Sequence, residues 1–147
     1  MNNKVVMKID LEYTKDLLDL IVNDGAVDFN IGQDHFLSLQ SDDGKKNKLA
    51  FHLEILADQG YIENSCTKGN DIGVQRFGLD TIKIKKIPLR LTASGHQFAS
   101  DLGKSGVIDT LTRSFKDAGP SEVIKIVCAL AKQIADKKLA SFLDESN

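Results

Sequence analysis

At 147 residues and 16.1 kDa the chain is one domain's worth of protein, because lengths of roughly 100 to 200 residues usually bury a single hydrophobic core. Hydrophobic residues at 41% against 27% charged exclude a disordered chain, and a net charge of -2 excludes binding that rests on overall basicity, so any phosphate contact must come from a local patch. Two cysteines in separate segments, Cys66 and Cys128, form neither a disulfide framework nor a metal knuckle. The short Val5-Val6-Met7 run is too brief for a signal-peptide core, and no apolar run approaches the about 18 residues of a membrane span, so a reducing, cytoplasmic setting is expected.

In chain order, residues 10–25 place Leu11, Leu17, Leu18, Ile21 and Val22 at helical spacing, with Asp10 as the start cap and Gly25 as the stop. Residues 27–31 alternate apolar and polar, a break follows at residues 32–34, and residues 36–40 resume with mixed alternation; this predicts a short hairpin. After the polar break Ser41-Asp42-Asp43-Gly44, residues 45–59 carry Leu49, Leu53 and Leu56 on one stripe, widened by His52 and Ile55, and predict a helix ended by Gly60. Tyr61-Ile62-Glu63 begins an extended segment. Residues 64–78 are polar and punctuated by Gly69, Gly73 and Gly78, residues 81–87 alternate as a strand, and Pro88 marks its edge. Together they predict a long two-stranded ribbon, or wing.

Thr92 is placed to cap a helix through Asp101, with Leu91, Phe98 and Leu102 facing inward. Gly103 and Gly106 interrupt, residues 107–116 resume helical spacing, and Gly119-Pro120 opens a final helix with the stripe Val123, Val127, Leu130 and Ile134. Continued to Leu143, that helix spans roughly 36 Å at about 1.5 Å per residue, longer than a domain of this size needs to close its core. Residues 144–147 read as a tail.

The order of helix, extended segment, helix ending in Gln59-Gly60-Tyr61-Ile62, ribbon, and capped helix at Thr92 is that of a winged helix-turn-helix. The chain therefore reads as α+β, with a winged-helix core over residues 8–102 and a helical extension over residues 103–143 that packs on the core or dimerises. Two stretches, LAFHLEILADQGYI (residues 49–62) and PLRLTASGHQF (residues 88–98), resemble the signature segments of an uncharacterised family of bacterial and prophage proteins known by a domain-of-unknown-function label. The resemblance spans residues 8–139 loosely. It implies a winged-helix fold and no assigned activity. Family members often carry a Trp about ten residues beyond the Gly-His-x-Phe motif, where this chain has Ile108.

The residues offer two functions. In the first, double-stranded DNA is bound in transcription regulation: Lys45, Lys46, Asn47 and Lys48 enter the major groove at the start of the second helix, while Lys83, Lys85, Lys86 and Arg90 of the wing touch phosphates. Residues 41–91 hold nine basic and seven acidic side chains, a marginal positive balance. In the second, the chain is a non-catalytic module for a host or phage protein, and the stripe Val123, Val127, Leu130 and Ile134 either pairs in a homodimer or folds back on the core. The sequence alone favours DNA. His52 and His96 are expected to hydrogen-bond within the core or at its rim. Cys66 has no base near it, Cys128 falls on the inner side of its helix, and no phosphate-cradling glycine motif occurs, so no catalytic residue, metal or cofactor is expected.

Overall fold

The computed structural model describes residues 8–79 and 81–145. These form α1 (Leu11–Asn23), α2 (Asp34–Leu37) running into a 3-10 turn (Ser38–Gln40), α3 (Asp43–Asp58), β1 (Ile62–Asn64), β2 (Val74–Phe77), β3 (Thr81–Ile84), β4 (Leu89–Leu91), α4 (Ala93–Leu102), α5 (Val107–Ser114) and α6 (Pro120–Glu145). The architecture is α+β, with two small antiparallel sheets among the helices.

Local chemistry explains most boundaries. The Asp10 carboxylate accepts the Tyr13 amide at the start of α1, and the Asp42 carboxylate accepts the Lys45 amide at the start of α3. Gly60, at φ +73°, lets the chain leave α3 in a left-handed conformation, and β1 begins two residues later. β1 pairs with β4, Ile62 opposite Leu91 and Asn64 opposite Leu89. On the other side of β4, Phe29 exchanges two backbone hydrogen bonds of 2.8 Å with Leu89. β4 is thus flanked by β1 and by Phe29, and all three lanes come from distant parts of the chain.

Residues 27–40 correct the predicted hairpin. Only Phe29 is in a ladder, and residues 34–40 are helical. The turn is built by side chains: the Asn30 carboxamide accepts the Gly32 amide, and the Gln40 amide group donates to the Ile31 and Phe36 carbonyls. Phe36 is fully buried against Phe29, and Leu39 packs behind it at helical spacing. The ribbon is also more elaborate than predicted. β2 lies within the stretch read as polar loop and pairs with β3, Val74 opposite Ile84, while the strand predicted to Ile87 ends at Ile84. Before it, buried Asn64 organises the loop by accepting the Cys66 and Thr67 amides and donating to the Asp71 carbonyl.

One continuous hydrophobic cluster joins α1, α3, β1, β4, α4, α5 and the first half of α6. Within α6, Val123, Ile124, Val127 and Ala131 are buried against α4 and α5. The first half of the extension therefore shares the core of residues 8–102. Asp144 and Glu145, read as tail, continue the helix; Ser146 and Asn147 lie outside the described residues, as does the Val5-Val6-Met7 run.

The two signature-like stretches meet across the ribbon. The Thr92 amide donates to the Tyr61 carbonyl at 2.8 Å, the Thr92 hydroxyl donates to the Gly60 carbonyl at 2.6 Å and accepts the Gly95 amide at 3.1 Å, and the Tyr61 ring stacks on Phe98 at 4.7 Å. One hydroxyl thereby caps α4 and ties it to the exit of α3. Thr92→Val keeps the shape and removes both bonds, so an unfolding free energy lower by about 1–2 kcal/mol is expected in urea titration.

Candidate functional site

The site proposed from sequence centres on the start of α3 and on the ribbon. Lys45 is exposed, its ammonium 3.1 Å from the Ser41 hydroxyl, while Lys46 and Asn47 are half-buried. At about 3.6 residues per turn, Lys45 and Lys46 fall on the side of the helix that carries Leu49, Leu53 and Leu56. The outward arc belongs instead to Asn47, Phe51, Glu54, Ile55 and Asp58, spaced i, i+4, i+7, i+8, i+11. No residue between Lys46 and Ala57 is fully exposed.

Two of the cations expected at DNA, Lys48 in the groove and Arg90 on phosphate, are paired with carboxylates of this chain. The Lys48 ammonium donates to the Asp10 carboxylate at 2.9 Å and lies 4.7 Å from the centre of the Tyr13 ring. Arg90 donates to the Glu63 carboxylate across the β1–β4 ladder at 2.5 Å. A neutralised cation offers a phosphate much less than a free one, because the existing partner must first be given up. Lys83, Lys85 and Lys86 of the ribbon are exposed, with the Lys83 ammonium 5.3 Å from the Phe77 ring.

The β2–β3 hairpin leans on α3. β3 packs against the helix, Val74, Ile84 and Ile55 join the edge of the core, and Arg76 grips Glu54 through two bonds of 2.8 and 2.5 Å. This fork is the paired geometry that guanidinium and carboxylate favour. Sequence reasoning missed it because the partners lie 22 residues apart in elements whose packing no local pattern reveals.

His52 is buried as expected. Its Nε2 accepts the Asp10 amide at 2.9 Å, so its Nδ1 carries the proton and donates to the Lys48 carbonyl at 2.8 Å, and Tyr13 packs at 4.6 Å between ring centroids. Burial, offset in part by the Lys48 carbonyl and Asp10, lowers its pKa below the ordinary 6.5. At Asp10, burial raises the pKa, but the Tyr13 amide and the Lys48 ammonium outweigh it and hold the carboxyl below its ordinary 3.8. Burial and then Asp10 push the Tyr13 phenol up to about 12. The arrangement fastens the start of α1 to the middle of α3. His96, by contrast, is exposed rather than set at the rim of the core, because its position on α4 faces away from Phe98 and Leu102.

Cys128 lies exposed on α6 rather than on its inner side, and Cys66 is exposed in the loop after β1. Burial, then the charge of Asp101, pushes the Cys128 thiol up, the opposite of what an activated nucleophile needs. Among the described residues no three His, Cys, Asp or Glu side chains are grouped to hold a metal ion, and no helix is long and apolar enough to cross a membrane.

On α6, Val123 and Val127 are inside the core and cannot line a dimer interface, a correction to their assignment. Leu130 and Ile134 are half-buried against the same cluster. Exposed apolar side chains begin further on, with Leu139, Phe142 and Leu143. The i, i+3, i+4 spacing of these three was the available signal in the sequence. A groove of about 520 Å³ also opens among the starts of α1, α3 and α6 and the end of α5, with Ile9, Leu111 and Phe115 as its apolar wall. In comparisons with known proteins, no family model, no curated protein and no solved structure matches this chain.

Proposed function

We propose that the chain is a winged-helix-type module that works by binding another protein, with α3 and the ribbon as its contact surface. The chain order of α1, the Phe29 lane, α2, α3, β1, the β2–β3 hairpin and β4, with β4 flanked by β1 and Phe29, supports the fold name. The observation that carries the function is the outward arc of α3. In a DNA-reading winged helix this arc supplies cations and amides to the groove. Here it presents half-buried Asn47 and Phe51 and exposed Asp58, while Ile55 packs at the edge of the core under the hairpin, Glu54 is held by Arg76 and Lys48 is held by Asp10. Charge also favours protein over DNA: Asp42 and Asp43 stand at one end of α3 and Asp58 at the other, all exposed. The partner this face suits offers an apolar anchor with a basic rim.

The exposed Lys83, Lys85 and Lys86 keep DNA as the second reading, through phosphate contact by the hairpin. Fluorescence anisotropy with labelled duplex fragments at low salt separates the two. Protein binding predicts no association with DNA, together with a partner captured by the wild-type chain and lost by Phe51→Asp, whose circular dichroism stays unchanged. Salt-dependent DNA binding that disappears when the three hairpin lysines become glutamate would overturn the proposal, as would a partner held equally well by the Phe51→Asp chain.

A further inference from the structure

The second half of α6 runs past the core. Among the described residues after Ala131 only Ile134 is even half-buried, and the helix continues to Glu145 with Leu139 56% and Phe142 65% exposed. Ala135, Leu139 and Phe142 recur at i, i+4, i+7 and form one apolar stripe. Beside it lies a groove of about 600 Å³, closed on its far side by Lys104 and Ser105 at the turn between α4 and α5. A solvated helix end does not require such a stripe.

The charges flanking the stripe say what covers it. Lys138 and Glu145 stand seven residues apart, so they share one flank of the helix, and the flank is basic nearer the core and acidic at the tip. When two copies of a helix pair antiparallel about a two-fold axis, like flanks face each other with the order of residues reversed. Lys138 of one copy then meets Glu145 of the other, and the symmetry makes the contact twice. That register places the axis between Ser141 and Phe142, so the two Phe142 rings meet at the centre with Leu139 beside them.

From this self-complementarity we propose that the projecting end of α6 is a homodimerisation surface, with a second copy of this chain as its occupant, antiparallel and in the Lys138–Glu145 register. The inference is independent of the α3 surface, which stays open in such a dimer. The contact is smaller than the about 800 Å² per partner of a standard interface, so dissociation on the order of 100 µM is expected.

Sedimentation of the full chain over a concentration series tests this. The wild-type chain is expected to pass from monomer to dimer, and Phe142→Glu to remain monomeric. Lys138→Glu alone and Glu145→Lys alone each set like charges together at both symmetric contacts and are expected to weaken the dimer roughly five- to tenfold, while the double exchange returns it to within about twofold of wild type. A wild-type monomer at near-millimolar concentration would overturn the proposal. So would a Phe142→Glu chain that dimerises as tightly as wild type, or a double exchange no stronger than either single change.

Discussion

Gly95→Ala is expected to lower the unfolding midpoint by roughly 6–12 °C, the equivalent of about 2–4 kcal/mol for a chain of this size. Gly95 sits in the first turn of α4, in ordinary helical conformation, so the cost does not come from backbone strain. It comes from space: a Cβ there would stand against the Tyr61 carbonyl oxygen and within 2.7 Å of Leu91 Cδ1. Neither neighbour can retreat, because that carbonyl accepts the Thr92 amide and Leu91 is buried in the β1–β4 ladder. Thermal unfolding of the variant checks this, with Gly103→Ala as a control, since a Cβ at Gly103 meets nothing closer than 3.5 Å. A Gly95→Ala midpoint equal to wild type would mean that α4 and the exit of α3 are not packed as described.

His52 is expected to produce the second large effect, and one with a pH signature. His52→Ala opens a cavity beneath Tyr13 and strands the Asp10 amide, for an expected loss of about 2–4 kcal/mol at neutral pH. The imidazole is neutral in the fold and its pKa is lowered, mainly by burial, so the unfolded chain takes up the proton first as pH falls. Stability from this group is therefore complete above the ordinary histidine value of 6.5 and declines as pH is lowered from there to the folded-state value. Protonation would also set an N–H against the Asp10 amide that Nε2 now accepts. Asp10 adds a second decline, beginning below its ordinary 3.8 because its carboxyl is held lower in the fold. Urea titrations from pH 8 to pH 4.5 resolve the first decline, and His52→Leu should remove most of it. If the slope persists unchanged in that variant, another group is responsible.

These effects were unequally legible in the residues. The stripe Leu49, Leu53 and Leu56, the Asp10 and Thr92 caps and the Gly60 exit are local patterns, and each specified its element before any contact was known. Residues 36–40 misled because a short apolar alternation fits a strand and a helical turn equally, and the burial of Phe36 against Phe29 chose the turn. The pairing of two cations on the expected nucleic-acid surface was hidden for a different reason. Lys48 and Arg90 are visible in the sequence as cations, but their neutralising partners lie 38 and 27 residues away.

By itself, the sequence determined the longer helices α1, α3, α4 and α6 and their apolar stripes, since periodicity, caps and glycine exits act within a few residues, but not the short α2. Tertiary structure alone decided that β4 is flanked by Phe29 and β1, that the hairpin lies against α3 with Glu54 held by Arg76, and that Val123 and Val127 close the core while Phe142 stays in water. Those outcomes depend on which surfaces meet over long separations, and burial and charge pairing across such distances leave no periodic trace in the chain.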